Sequence, residues 1–314
     1  MDQFYAVLNQ VIIFCIIIFV GFVTVKVKFI PESALPVITN IFSRVIVPFI
    51  LFVNTVNGAT RADMGKYIFL SGVYACVYAV QIFVARMMPK LLKLKGNRAS
   101  LYAFSYTFGN VGFIGIPLLL AVFGQRVMIY VTMYAIVDQI IFWTYGYSLS
   151  FPVDNKLKFN LKTLVNMLNP PLIAVLLSIL LIVLDVKIPA IVNRAFASIA
   201  DAGSALPFIY IGGMIATMNV KRVLKHYEFY LGIAVKMVIL PVCLFIVLKA
   251  IGIEVEIAVA SSILFGLPTI ALVPMLAGAH GSDVEYATSA VLITTIASLF
   301  TLTFISFITA VLAA

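Results

Sequence analysis

Apolar residues fill this chain in long blocks, and polar residues are confined to short seams between them. The blocks fall at about 4–25, 35–57, 66–88, 99–124, 127–150, 167–184, 189–217, 228–250, 256–280 and 284–311. Each is roughly twenty residues long, which is what a helix needs to cross a bilayer. The pattern predicts ten membrane-spanning helices. No alternating pattern of the kind that builds membrane β-barrels occurs. The longest seam, at about 151–166, carries Lys156, Lys158 and Lys162 and is expected to be cytoplasmic. It separates two halves of five spans, 1–150 and 167–314. Five is odd, so the second half must enter from the opposite face. The expected fold is an all-α membrane protein built as two five-helix inverted repeats.

Two blocks are interrupted in the same way. FGNVGFIGIPLLLAVFG runs from Phe108 to Gly124 and FGLPTIALVPMLAGAHG from Phe265 to Gly281. Phe, Gly, Pro and the closing Gly recur at a constant offset of 157, half of the 314 residues. Proline lacks an N–H and clashes with the carbonyl four residues back. Backbone groups freed in lipid survive only against protein or a wet cavity. Breaks at matching places in two halves therefore point to a transporter's binding site. If they meet near the midplane, half-helix N-termini converge there, and their partial positive charge and free N–H groups suit an anion. The candidate binding positions are Asn110, Gly112, Gly115 and Pro117 in the first half, and Pro268, Thr269 and Pro274 in the second. The Asn110 amide could bond a carboxylate or the broken backbone itself. A weaker echo pairs Pro48-Phe49-Ile50 with Pro207-Phe208-Ile209.

Composition agrees with a bilayer. Mean hydropathy is +1.16 and charged residues make up 11%, against about 25% in soluble domains. The first block lacks a basic flank and is too long for a signal peptide, so it is expected to be a span. The net charge of +9 lies in the seams, where it sets orientation; nothing suggests nucleic acid as a partner. Thirteen Lys and Arg, among them the cluster Arg86 to Arg98, fall on one side, and six, among them Arg61 and Lys187, on the other. The richer side is expected to face the cytoplasm of a cell membrane, with both termini outside. Cys15, Cys76 and Cys243 are scattered singly and are expected to be buried free thiols. His226 and His280 lack metal-ligand spacing and are expected to be solvated, and Trp143, Tyr145 and Tyr147 to form an interfacial belt. No metal or other cofactor is expected.

Arg44, Asp138, Asp201 and Lys236 fall inside spans. A charge there costs about 2.5–3.5 kcal/mol on insertion scales, so each needs a partner, water or neutralisation. Asp138 is a candidate carrier of a coupled proton, or half of an ion pair with Lys236 or Arg44. Arg44, one turn before Pro48, could take a substrate carboxylate in a bidentate fork or form an ion pair. Asp201 could face a wet vestibule. Lys236 is expected to snorkel to the cytoplasmic interface.

Gly109-Asn110-Val111-Gly112-Phe113-Ile114-Gly115-Ile116-Pro117 resembles the first signature of the auxin efflux carrier family. Leu267-Pro268-Thr269, Gly281-Ser282-Asp283 and Thr294-Thr295-Ile296-Ala297-Ser298 resemble its C-terminal signature. The short central seam is more like the bacterial malate and malonate permeases of that family than plant carriers. The resemblance implies a scaffold of spans 1, 2, 6 and 7, and a transport domain of spans 3–5 and 8–10. Broken spans 4 and 9 would cross, and the transport domain would slide as an elevator. The chain departs from the family by Ile270 and Ala271 where Asn or Gln often follows the second-half Pro, and by Thr303 where Pro is usual.

The expected function is secondary transport of a small organic anion, a carboxylate such as malate or an auxin-like acid, coupled to a proton or sodium ion. The lipid bilayer is its other partner, and homodimerisation stays open. The rival is a cation/proton antiporter or sodium-coupled symporter on a crossed-helix fold. Neither HExxH nor GxxxxGK[ST] occurs, so metalloprotease chemistry and direct ATP drive are not expected.

Overall fold

In the computed structural model, residues 2–58, 61, 64–153, 169–203, 205–218, 223 and 225–313 are described. Among these residues the chain is helical and has no strand; the one β-type pairing is an isolated antiparallel bridge between Gly109 and Thr269. In chain order the helices are α1 (Asp2–Lys26), α2 (Glu32–Gly58), α3 (Met64–Leu91), α4 (Gly96–Thr107), α5 (Val111–Phe123), α6 (Met128–Leu149), α7 (Pro170–Val183), α8 (Ala190–Asp201), α9 (Leu206–Thr217), α10 (Tyr227–Ala250), α11 (Val255–Phe265), α12 (Leu272–Ala279) and α13 (Val284–Ala313). Seven stretches are long and apolar enough to cross a membrane, with α8 and α9 taken as one; α5, α7 and α11 are shorter apolar helices. The expected spans at 99–124 and 256–280 are thus each divided, into α4–α5 and α11–α12. Residues 154–166 of the central seam, with Lys156, Lys158 and Lys162, lie outside the described residues, as do Lys221 and Arg222.

The local sequence accounts for the divisions. Pro48, Pro117 and Pro241 each stand two residues after a π turn, at Phe42–Ile46, Val111–Gly115 and Val235–Ile239. The wider turn absorbs the missing N–H and the ring clash without ending the helix. The closing glycines of the repeated motif, Gly124 and Gly281, both adopt the left-handed conformation, with φ of 72° and 71°. Their recurrence is a backbone requirement that glycine meets without strain.

Helices α1 and α9 pack backbone to backbone. A Cβ on Gly212 would lie 2.0 Å from the Ile18 carbonyl oxygen, and one on Gly21 would lie 2.3 Å from that of Ile209. Small residues permit such an approach in membranes, where packing replaces the hydrophobic effect between helices. Phe14 and Phe208 stack beside it, with ring centroids 3.7 Å apart.

The cysteines are free but not buried as a set. Cys76 and Cys243 are exposed on the outer surface and Cys15 is half-buried. An apolar thiol needs no protein cover when its neighbour is lipid.

Candidate functional site

The two interruptions meet. Residues 108–110 run beside 268–270 in antiparallel sense: the Asn110 N–H donates to the Pro268 carbonyl at 2.8 Å, and the Ile270 N–H to that of Phe108 at 3.3 Å. Gly115 allows the approach, since a Cβ there would lie 2.7 Å from Leu267 Cδ1.

Breaking a helix orphans carbonyls on one side and amides on the other, and here the two sides are treated differently. At the end of α4 the carbonyls are answered one by one. Thr269 Oγ1 donates to Ser105 O at 2.9 Å. The buried Gln81 Nε2 donates to Tyr106 O and Thr107 O at 3.2 and 2.9 Å. Lys236 Nζ donates to Phe108 O at 3.3 Å and, across the crossing, to Leu267 O at 2.6 Å. Lys236 is 3% exposed. It does not snorkel as expected, because the orphaned carbonyls offer the ammonium a better set of acceptors than its route to the interface.

The amide side is left open. Asn110 caps α5, its Oδ1 accepting from Phe113 N at 3.3 Å, and its carbonyl accepts from Ile114 and Gly115. Its side-chain NH₂ has no acceptor among the described residues. The same holds for the backbone N–H groups of Gly112, Ala271 and Leu272, in the first turns of α5 and α12. These residues line one cavity of about 290 Å³, bounded also by α2, α6 and the start of α7. Arg44 lines it from the π turn of α2, with no carboxylate within ion-pair distance among the described residues.

Asp138 lines the cavity from α6 and is 2% exposed. It forms no ion pair with Arg44 or Lys236. Tyr78 OH lies 2.5 Å from Oδ1 and 2.7 Å from Tyr134 OH. A phenol has one proton to give, so Tyr78 donates either to the carboxylate or to Tyr134, and the protonation of Asp138 decides which. Gln139 Nε2 donates to Oδ2 at 3.2 Å, while Gln139 Oε1 accepts from Trp143 Nε1 at 3.2 Å and Asn169 Nδ2 at 2.8 Å. Asn169 also caps α7 through Leu172 N at 3.0 Å. The chain of bonds therefore runs from Asp138 on α6 to the start of α7.

Of the sequence-predicted positions, Arg44, Asn110, Gly112 and Asp138 line this cavity. Gly115, Pro117, Pro268, Thr269 and Pro274 are not among its lining residues. Gly115, Pro268 and Thr269 hold the crossing together, Pro117 follows the π turn of α5, and Pro274 sits in the first turn of α12, where a missing N–H costs nothing. Asp201 ends α8, exposed. Trp143 lines the cavity. His280 is held by Ser150 Oγ at 2.7 Å and stacks on Phe151, and His226 Nδ1 lies 3.2 Å from Glu228 Oε1; both are less solvated than expected. Sequence reasoning passed over Gln81, Gln139 and Asn169. The available signal was a lone amide inside or at the mouth of an apolar block.

Gln81→Leu should destabilise the protein by about 2–4 kcal/mol, since it strands two buried carbonyls at about 1–3 kcal/mol each. Thermal unfolding in detergent measures this, and a variant as stable as the parent would show the carbonyls to be otherwise satisfied.

Comparison with curated proteins gives no match. A family profile described as membrane transport protein, that of the auxin efflux carriers, matches residues 6–306. That span takes in both motifs, all the helices of the crossing and every residue of the cavity. The family consists of transporters rather than enzymes. The chain belongs to this membrane transport protein family and is a multi-pass membrane transporter.

Proposed function

We propose that the protein is a secondary carrier of a small organic anion, a carboxylate such as malate or an auxin-like acid, and that the cavity at the crossing is its binding site. One observation carries this reading: at the crossing the carbonyls that end α4 are taken, while amide donors at the starts of α5 and α12 stay free. The Asn110 NH₂, the first-turn amides of Gly112, Ala271 and Leu272, and the Arg44 guanidinium border one space of about 290 Å³. Convergent N–H groups and half-helix N-termini select negative charge. The volume is at the low end for ligand pockets, which suits a small acid.

In this reading the chain forms ten spans in two inverted repeats, with α4–α5 and α11–α12 as the corresponding broken spans. The offset of 157 and the shared left-handed closing glycines support it. α1, α2 and α7–α9 form the scaffold, and α3–α6 and α10–α13 slide as an elevator. Arg44 greets the carboxylate from the scaffold, and Asn110 and the amides travel with it. Asp138, which lines the cavity and has no ion-pair partner among the described residues, carries a coupled proton.

Uptake of labelled malate, malonate and indole-3-acetate into proteoliposomes, with pH and sodium gradients varied, tests the reading. Asn110→Ala should lower apparent affinity at least tenfold, by the worth of one or two hydrogen bonds to a charged group. Unchanged affinity and rate would reduce Asn110 to a helix cap.

A further inference from the structure

The ammonium of Lys236 stands where the carbonyl ends of two half-helices converge. Phe108 caps the C-terminus of α4, and Leu267 lies just beyond that of α11. Both ends carry partial negative charge. In carriers built on discontinuous helices, such ends and unwound carbonyls are what coordinate a coupled sodium ion. Here a 3% exposed side chain from the π turn of α10 reaches both carbonyls, at 3.3 and 2.6 Å. No carboxylate lies within ion-pair distance of it among the described residues. A buried ammonium is costly, so its retention needs a counter-charge; the two helix ends supply it at contact distance, and the Asp138 carboxylate adds to it from beyond ion-pair distance.

We propose that Lys236 is the resident cation of the crossing: its ammonium fills the position a coupled sodium ion would take, and the carrier works without sodium. The side chain then acts as a positioning residue, holding the two half-helices in register so that their amide partners open onto the cavity. The inference rests on the crossing being the transport site, but its principal test does not depend on any organic anion.

Thermal unfolding of the purified full-length protein is followed in sodium chloride and in choline chloride at equal ionic strength, for wild type, Lys236→Ala and Lys236→Met. Wild type should unfold at the same temperature in both salts. Lys236→Ala should unfold roughly 5–10 °C lower in choline, as expected for removing one side of a buried charge arrangement. Sodium or methylammonium, small enough for the vacated space, should recover part of that loss. Lys236→Met, which fills the space without charge, should be destabilised and indifferent to either cation. Malate uptake by wild type should be unchanged when sodium is replaced by choline. If Lys236→Ala does not fold, the wild-type comparison and Lys236→Arg, expected to keep most of the stability, carry the test. Sodium-specific stabilisation or sodium-dependent uptake in wild type would overturn the proposal. So would a Lys236→Ala variant as stable as the parent, or one whose loss neither small cation restores. Absence of malate uptake with the predicted salt responses intact would count against the transport reading and leave the resident cation standing.

Discussion

Asp138→Asn should give a folded carrier whose uptake no longer responds to an imposed pH gradient. The physical reason lies in the bonds around the carboxylate. An asparagine can still accept from Tyr78 through its oxygen, which keeps the bond to that phenol. Its new NH₂, however, meets Gln139 Nε2, and two donors then face each other. Gln139 can rotate its amide only by turning Nε2 toward the donors of Trp143 and Asn169. Turning the asparagine itself removes the conflict: its oxygen accepts from Gln139 Nε2 and its NH₂ donates to Tyr78, whose own proton passes to Tyr134. The variant should therefore stay close to the parent in stability while losing the gradient response completely. Initial uptake rates in proteoliposomes, with inside and outside pH set separately, check both the sign and the size. A variant that kept the parent's pH dependence would remove Asp138 as the proton carrier and leave it as a structural anchor between α6 and α3.

Arg44→Gln should weaken substrate binding tenfold to a hundredfold with a smaller effect on the maximal rate. A hydrogen bond to a charged group is worth about 1.5–3 kcal/mol, and each 1.4 kcal/mol is a factor of ten. No carboxylate among the described residues lies within ion-pair distance of the guanidinium, and the residue borders the cavity from the α2 side. Arg44→Lys separates charge from shape: it keeps the charge and loses the planar fork, so it should fall between the parent and the glutamine variant. Concentration-dependent uptake of each variant measures this. Equal affinity in all three would place the substrate away from α2.

Much of this architecture was legible in the chain because it depends on residues with few alternatives. Gly109, Gly115 and the repeated prolines announced two matching interruptions, and the interruptions do pair. Arg44, Asn110 and Asp138 stood out because polarity inside a span is costly, and they border one space. Which side of each break stays open was not legible. It depends on Gln81 and Lys236 reaching from other helices to the carbonyl ends, a long-range match that no local pattern encodes. Lys236 misled for the same reason: near a helix end it reads as a snorkelling side chain, and only the crossing supplies the acceptors that draw it inward. The absence of Asn or Gln at Ile270 and Ala271 also finds its reason there. Both residues line the cavity, and the second half of the chain contributes backbone amides in place of a side-chain amide.

The central claim is that a negatively charged guest sits on the unspent amides where the two interruptions meet. A structure of the protein saturated with whichever of malate or malonate it takes up tests this directly. A carboxylate should be found about 2.7–3.2 Å from Asn110 Nδ2 and from at least one of the Gly112, Ala271 and Leu272 nitrogens. A bound anion located away from α5 and α12, or an unfilled crossing in a protein shown to be transporting, would contradict it.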